Sequence, residues 1–408
     1  MPLIIQKFGG TSVGSPERIR NVALRVQREL AQGNQVAVVL SAMSGVTDQL
    51  VGLTKELSSL KTPESLAEYD TVVASGEQVT VGLLALCLQE MGIKSRSFLA
   101  WQLGIRTDEV HSKARIEDIN ADIIKESLRS GEVPVVPGFQ GVTPAGRVTT
   151  LGRGGSDTSG VALAAALKAD RCDIYTDVEG VYTTDPRIVT KARKLNKIAY
   201  EEMLEMASLG AKVLQTRSVE MAMKYKVRVQ VLSSFTDAPG TLLVDEEEVM
   251  ERRLITGIAY SKSDARVTLT GVADRPGIAA AVLGPLAEAE INVDMIVQNV
   301  SEDGTTDITF TVAKTDLARA EDSLKAAKDH LKYKNLLTDP NVAKVSVVGV
   351  GLKSHAGLAQ KMFQTLADKN INILVISTSE IKISVLIAEE YMELAIRSLH
   401  TAYGLDGK

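Results

Sequence analysis

The chain has 408 residues, more than the roughly 250–300 at which a single hydrophobic core stops growing, so two or three domains are expected. With 45% hydrophobic and 24% charged residues it reads as a globular protein, and a formal charge of −5 excludes the basic footprint of a nucleic-acid binder. No apolar run approaches the roughly 18–20 residues that span a bilayer, no leader pattern follows Met1-Pro2, and the two cysteines, Cys87 and Cys172, read as reduced thiols, so a cytoplasmic protein acting on small molecules is expected.

The apolar run 3–5 has the β-branched character of a buried strand and leads into Lys7-Phe8-Gly9-Gly10-Thr11-Ser12. Two adjacent glycines admit unusual dihedrals and a close approach to an anion, their N–H groups converge on it, and Lys7 adds charge. Ser15 as N-cap and Pro16 at the first position then open a helix with Ile19, Val22, Ala23, Val26 and Leu30 on one face. Strand, glycine loop and helix N-terminus compose an anion site. A Gly-Gly turn alone is as often a plain connection, and the lysine precedes the glycines, unlike a P-loop.

A second buried strand spans 35–41, and the polar loop 42–48 follows its end, where Ser41 and Thr47 are either ligand hydroxyls or helix caps. Ser75-Gly76-Glu77-Gln78 opens an apolar helix through Met91. Ser75 is its candidate cap, and Glu77 is either a carboxylate complementing the helix dipole or a partner for a ligand's ammonium. Strands are expected over 94–99 and 133–138 with a helix near 118–129 between them, and a hairpin over 141–148. In Thr149 to Asp157 (TTLGRGGSD), Arg153 offers a planar fork for a carboxylate or phosphate. Gly154 and Gly155 offer backbone donors, and Ser156 and Asp157 are site residues or caps for the Ala-rich helix 158–167. The strand 172–176 ends in Asp177 to Arg187 (DVEGVYTTDPR), where Tyr182 offers a ring for stacking and Asp185-Pro186-Arg187 a rigid end. Lys212 is a phosphate ligand or a surface lysine, strands follow at 227–233 and 241–244, and 245–253 is a charged linker. The alternation up to 244 predicts an α/β sandwich with a mainly parallel sheet.

Beyond the linker lies a repeat with an 80-residue offset. Val267 to Gly271 matches Val345 to Gly349, and Gly277 to Asn292 has the spacing of Gly357 to Asn372. Each copy reads as a ferredoxin-like βαββαβ unit.

In their order KFGGTS, SGEQ, TLGRGGSD, YTDVEGVYTTDPR and the two repeats resemble aspartate kinase, a member of the amino-acid kinase superfamily with tandem ACT domains. The resemblance spans essentially the whole chain. It implies an amino-acid-kinase three-layer sandwich over 1–245, a linker and a strand of the second ACT module over 246–263, and ACT domains over 264–340 and 341–408, the first inserted in the second. It also implies transfer of the ATP γ-phosphate, with Mg2+, to the side-chain carboxylate of L-aspartate, the first step of lysine, threonine and methionine biosynthesis. By that resemblance Lys7, Asp157 and Lys212 are catalytic. ATP is held by Lys7, Phe8, Gly9, Gly10, Ser41, Thr176, Asp177, Tyr182, Asp185, Arg187 and Lys212, and aspartate by Thr47, Glu77, Arg153, Gly154, Gly155 and Ser156. Lysine, threonine or both are implied as feedback effectors. They would bind at Asp274, Arg275, Pro276, Gly277, Ile278, Ala279, Asn292, Val293, Asp294 and Gln298, and at Leu358, Ala359, Asn372, Ile373, Ser379 and Glu380. No resident metal site is expected, and ACT pairing implies at least a homodimer. The competing readings are a kinase of another amino acid and a non-catalytic amino-acid sensor. Met250 also raises a separately translated regulatory chain.

Overall fold

The computed structural model describes all residues except 212, 250–253, 301–303, 353, 354, 356, 408 and the side chain of 300; Lys212 and Met250 therefore lie outside the described residues. The chain divides into two compact units, 1–181 with 194–207 and 212–251, and 182–193 with 208–211 and 252–408.

The strands of the first unit are β1 (Leu3–Phe8), β2 (Gln35–Leu40), β3 (Ser95–Ser97), β4 (Ile105–Thr107), β5 (Ile116–Ile119), β6 (Val133–Pro137), β7 (Gln140–Val142), β8 (Val148–Thr150), β9 (Arg171–Thr176), β10 (Lys197–Ala199), β11 (Val229–Ser233) and β12 (Thr241–Val244). Its helices include α1 (Pro16–Ala31), α2 (Val46–Leu57), α3 (Pro63–Val73), α4 (Ser75–Glu90), α5 (Ala100–Leu103), α6 (Asp122–Arg129), α7 (Gly155–Leu167), α8 (Tyr200–Ser208) and α9 (Thr216–Tyr225). Among the described residues the main sheet has eight strands in the order β10-β12-β11-β9-β1-β2-β6-β3, antiparallel only between β11 and β12. A smaller sheet, β5-β4-β7-β8, contains the expected hairpin.

Strand alternation sorts the side chains of β1. Phe8 points into a core shared with Val36, Val38, Ile19, Val22 and Leu84, between the sheet and α1 and α4. Lys7 points to the opposite face, where Gly160 of α7 lies against its stem. Helices thus cover both faces. The register sets Phe8 beside Leu40 and Tyr175, Leu40 beside Pro137, and Thr176 beside Ser233, so the carboxyl ends of β1, β2, β6, β9 and β11 share one edge.

Three local expectations change. The segment 116–119 is strand, and the helix expected from 118 starts at Asp122. Ser75 caps nothing: its hydroxyl donates back to the Val72 carbonyl at 2.7 Å, because only Ala74 separates α3 from α4. The joined stretch Pro63–Glu90 is therefore long and apolar enough to cross a membrane, although the runs read singly are not, and half of its apolar window is buried inside the unit as in a core helix.

The second unit holds β13 (Gly257–Ser261), β14 (Asp264–Ala273), α10 (Ile278–Glu288), β15 (Val293–Val300), β16 (Thr305–Ala313), α11 (Leu317–Ala326), α12 (Lys328–Leu331), β17 (Asn335–Asp339), β18 (Val342–Val348), α13 (Leu358–Ala367), β19 (Val375–Thr378), β20 (Lys382–Ala388) and α14 (Met392–Ala402). One sheet runs β15-β16-β14-β17 and the other β13-β18-β20-β19. The second βαββ module takes its fourth strand from β13, which precedes the whole first module and pairs antiparallel with β18. Residues 182–193 also pack here, since Ile188 and Val189 join the core of Val345, Ile396 and Leu399, and Thr183 Oγ1 meets His400 Nε2 at 2.8 Å.

The two modules share a small core of Met295, Val342, Val375 and Leu386, and a buried cation. Lys344 on β18 is 5% exposed, with its Nζ 2.7 Å from Asp294 Oδ2 and 3.7 Å from Asp264 Oδ1. Burial pushes the Asp294 carboxyl up, but the Lys344 hydrogen bond and charge outweigh it and hold the group below its ordinary value. Asp294 has a 60% exposed side chain and stays solvated without Lys344, whereas Asp264 is 16% exposed, so Lys344→Ala should destabilise the second unit by about 1–2 kcal/mol, chiefly through Asp264. Calorimetry of the full chain should show one transition moved to lower temperature, and coincident wild-type and mutant traces would contradict this.

Candidate active site

The shared edge of the main sheet gathers most of the residues singled out in the first unit. Lys7 is only 6% exposed, and its Nζ lies 2.5 Å from Asp157 Oδ1. Asp157 reaches it because α7 begins earlier than expected, at Gly155, with Gly154 as N-cap and no side-chain cap. Ser156 and Asp157 are thus first-turn residues free of capping duty. Gly154 has φ 73°, and an added Cβ would meet Gln215 Cγ at 1.7 Å, so only glycine serves the turn that presents Arg153. Ser41 at the end of β2 donates its hydroxyl to Ser156 Oγ at 2.8 Å, and Ser12 Oγ lies 2.5 Å from Ser234 Oγ.

The Gly9-Gly10 loop differs from its sequence reading. Neither glycine has positive φ. The Gly9 N–H donates to the Tyr175 carbonyl at 3.2 Å and so is engaged within the sheet edge. Gly10 is needed for proximity, because its Cβ would lie 2.8 Å from the Ala42 carbonyl. A 3-10 turn, Gly10–Val13, separates the loop from α1, whose expected Ser15 cap is present, accepting from the Arg18 N–H at 3.3 Å. Phe8, assigned by resemblance to the nucleotide, has a fully buried ring stacked on Tyr175 at 4.5 Å, so its side chain is core.

Glu77 carries the strongest electrostatic signal. It is 2% exposed, its Oε1 accepts from the Ala42 N–H at 3.0 Å, and its Oε2 is buried with no hydrogen-bond partner among the described residues. Burial raises its carboxyl to about 7 against the opposing Ala42 hydrogen bond. Thr80 helps to build this corner, donating to the Ser41 carbonyl at 2.9 Å and the Glu77 carbonyl at 3.0 Å. Thr80 was not singled out in the sequence, although its place one turn after Glu77 was a usable signal. Thr47 is the second residue of α2, whose cap is Gly45, and so is not a cap itself.

At the end of β9, Thr176 Oγ1 donates to Asp177 Oδ1 at 3.2 Å. Tyr182, Asp185 and Arg187 belong to the second unit, where Asp185 takes the Arg187 fork at 2.8 and 3.0 Å and the Tyr260 hydroxyl at 2.9 Å. In that unit Gly277 and Gly357, at φ 87° and 96°, are the left-handed N-caps of α10 and α13, so the two glycines assigned by resemblance to effector turns share one backbone conformation. Asp274, Arg275, Pro276, Asn292, Gln298, Asn372, Ser379 and Glu380 are exposed, whereas Ile278 is buried.

Residues 2–233 match the amino acid kinase family, and 266–330 and 345–403 each match the ACT domain. An aspartokinase of Pseudomonas aeruginosa is 55% identical over 408 residues, with 100% of this chain and 98% of that protein covered. The chain belongs to the aspartate kinase family. It is a kinase of aspartate with ACT regulatory domains, and through that activity an enzyme of amino-acid biosynthesis. Among solved structures, Escherichia coli aspartokinase III in complex with aspartate and ADP (R-state) is similar with a TM-score of 0.82 at 28% identity, covering 98% of this kinase and 99% of that chain. The same enzyme with lysine and aspartate (T-state) gives 0.75 at 27% identity, with 98% and 99% covered.

The raised Glu77 carboxyl makes a prediction about the ligand-free kinase. Its folded value, about 7, lies above its ordinary 4.5, so its contribution to stability is complete below about 4.5 and is lost as pH rises through 7. Glu77→Gln removes that loss. The mutant should equal wild type in melting temperature at pH 4 and exceed it at pH 8, by a stability difference on the order of 1–3 kcal/mol. A gap that does not change with pH would contradict the assignment.

Proposed function

We propose that the sheet edge carrying Lys7, Asp157, Ser41 and Glu77 transfers the γ-phosphoryl group of MgATP to the side-chain carboxylate of L-aspartate, giving 4-phospho-L-aspartate and ADP. The observation that carries this reading is the buried Lys7–Asp157 pair beside the Ser41–Ser156 contact at the carboxyl ends of the strands, where open α/β sheets bind ligands. Magnesium is taken to arrive on the nucleotide's phosphates as part of the substrate.

In this reading the acceptor carboxylate, with an ordinary pKa near 3.9, is ionised at neutral pH and needs no general base. The enzyme's work is to bring anions together and neutralise them. Lys7 stabilises the transferring phosphoryl group, and Asp157 holds its ammonium in place. Lys212, which lies outside the described residues, contacts the phosphates in the same reading. Ser41 serves the phosphates, while Thr176 and Asp177 serve the rest of the nucleotide. Glu77 takes the aspartate ammonium, which supplies the missing partner of Oε2. Arg153 takes the α-carboxylate with the Gly154 and Gly155 turn, and Thr47 and Ser156 position the substrate.

Feedback by lysine, threonine or both belongs to the ACT modules, with the effector's α-carboxylate at the Gly277 and Gly357 turns and its amino group read by Asn292, Asp294 and Asn372. The half-exposed apolar residues Ile296, Leu337 and Ile376 on the ACT sheets support a dimer as the minimum assembly. The free thiols Cys87 and Cys172 suit a cytoplasmic enzyme. The proposed division of labour is catalysis in 1–245, apart from 182–193 and 208–211, which belong to the second unit, a linker and shared strand in 246–263, and regulation in 264–340 and 341–408.

The test is ATP-dependent hydroxamate formation from L-aspartate, L-glutamate and N-acetyl-L-glutamate, each alone, with lysine, with threonine and with both. Product should form from aspartate, fall with an effector, and fail with N-acetylglutamate, which has no ammonium for Glu77. Turnover of N-acetylglutamate would remove that role, and aspartate turnover indifferent to both amino acids would remove the regulatory assignment.

A further inference from the structure

The first unit contains a buried acid that none of the glycine motifs includes. Asp70 on α3 is 0% exposed, yet its carboxylate collects hydrogen bonds from two distant segments: His111 Nδ1 at 2.7 Å, the Ser112 N–H at 3.1 and 3.0 Å, and Thr150 Oγ1 at 2.5 Å. Ser112 has φ 68°, a left-handed conformation costly for a residue with a side chain, and Asp70 is what holds its N–H. The same segment is tied to the strand end a second time. The Ala114 N–H donates to the Thr150 carbonyl at 2.9 Å, and the Arg217 guanidinium donates to the Leu151 carbonyl at 2.7 Å and the Ala114 carbonyl at 2.9 Å.

These bonds converge on Thr150 and Leu151, the residues that lead into Gly152-Arg153-Gly154. On its other side Asp70 sits two helical turns before Glu77, on the stretch where α3 runs into α4. Gln140 Nε2 donates to the Ala74 carbonyl at 3.0 Å between them. The charge of Arg153 is felt in this corner. The Tyr69 phenol is pushed up by burial and by Asp70, and Arg153 opposes the rise.

We propose that Asp70, through His111 and Thr150, is a positioning residue that sets the spacing between Glu77 and Arg153 and so matches the kinase to the ammonium and α-carboxylate of a free α-amino acid. The proposal rests on the reading of those two groups as the substrate's partners. Asp70 touches no substrate. Its effect passes through the strand end that presents Arg153.

The experiment is steady-state kinetics of the full-length enzyme with Asp70→Asn, Arg153→Ala and the double variant. Misplacing a binding group by about 1 Å costs up to about 100-fold, so Asp70→Asn should raise KM for aspartate about 10- to 100-fold. It should leave KM for ATP unchanged and kcat within about threefold. In the Arg153→Ala background the same change should add less than about twofold, because the group it positions is gone. Multiplicative effects in the double variant, an equal rise in both KM values, or no effect of Asp70→Asn beside a large effect of Arg153→Ala would overturn the proposal. An unchanged aspartate KM in Arg153→Ala would instead overturn the underlying reading of the carboxylate site. Should Asp70→Asn fail to fold, His111→Phe and Thr150→Val each remove one donor and should raise the aspartate KM several-fold with the same selectivity; unaltered KM in both would equally overturn it.

Discussion

The active-site architecture depends on keeping the charge of Lys7 at a buried strand end. An ammonium there is tolerable only with a partner held in good geometry, and that partner is Asp157. Asp157 comes from a helix crossing the opposite face of the sheet from Phe8, so strand alternation, the early start of α7 and the Gly154 turn are all conditions of one ion pair. The same helix start brings Ser156 onto Ser41. A site arranged this way is pre-ordered for negative charge, which suits a reaction whose substrates are themselves anions.

Glu77 gives the site its other sign. Its buried, half-satisfied carboxylate is a cost in the ligand-free kinase and becomes favourable once a cation occupies the corner. Buried charge also works in the second unit, where Lys344 joins strands of the two ACT modules through Asp294. Asp294 belongs to a segment matched by resemblance to an effector site, so a ligand there would compete with or reinforce a contact that already links the modules.

What was legible in the sequence followed from local chemistry. Short apolar runs marked β1 and β2, Ser15-Pro16 marked α1, and the 80-residue repeat marked two modules of one kind. The readings that changed turn on neighbours distant in the chain. Gly10 looked like a dihedral requirement and proved to be a packing one, because the carbonyl it accommodates belongs to Ala42. Ser75 looked like a cap because the sequence does not show α3 continuing through Ala74. Asp70 carried no motif at all, since its partners stand 41, 42 and 80 residues away and only the fold assembles them. Phe8 was carried into the nucleotide site by its place in KFGGTS, although in a strand its side chain faces away from that of Lys7.

The most direct measurement is the turnover number for ATP-dependent hydroxamate formation from L-aspartate by Lys7→Ala, with circular dichroism to show that the fold is kept. If Lys7 neutralises the transferring phosphoryl group, kcat should fall by about 100- to 1,000-fold while KM for aspartate changes only a few-fold. A folded Lys7→Ala enzyme with the kcat of wild type would remove the lysine from the transition state and with it the account of this site.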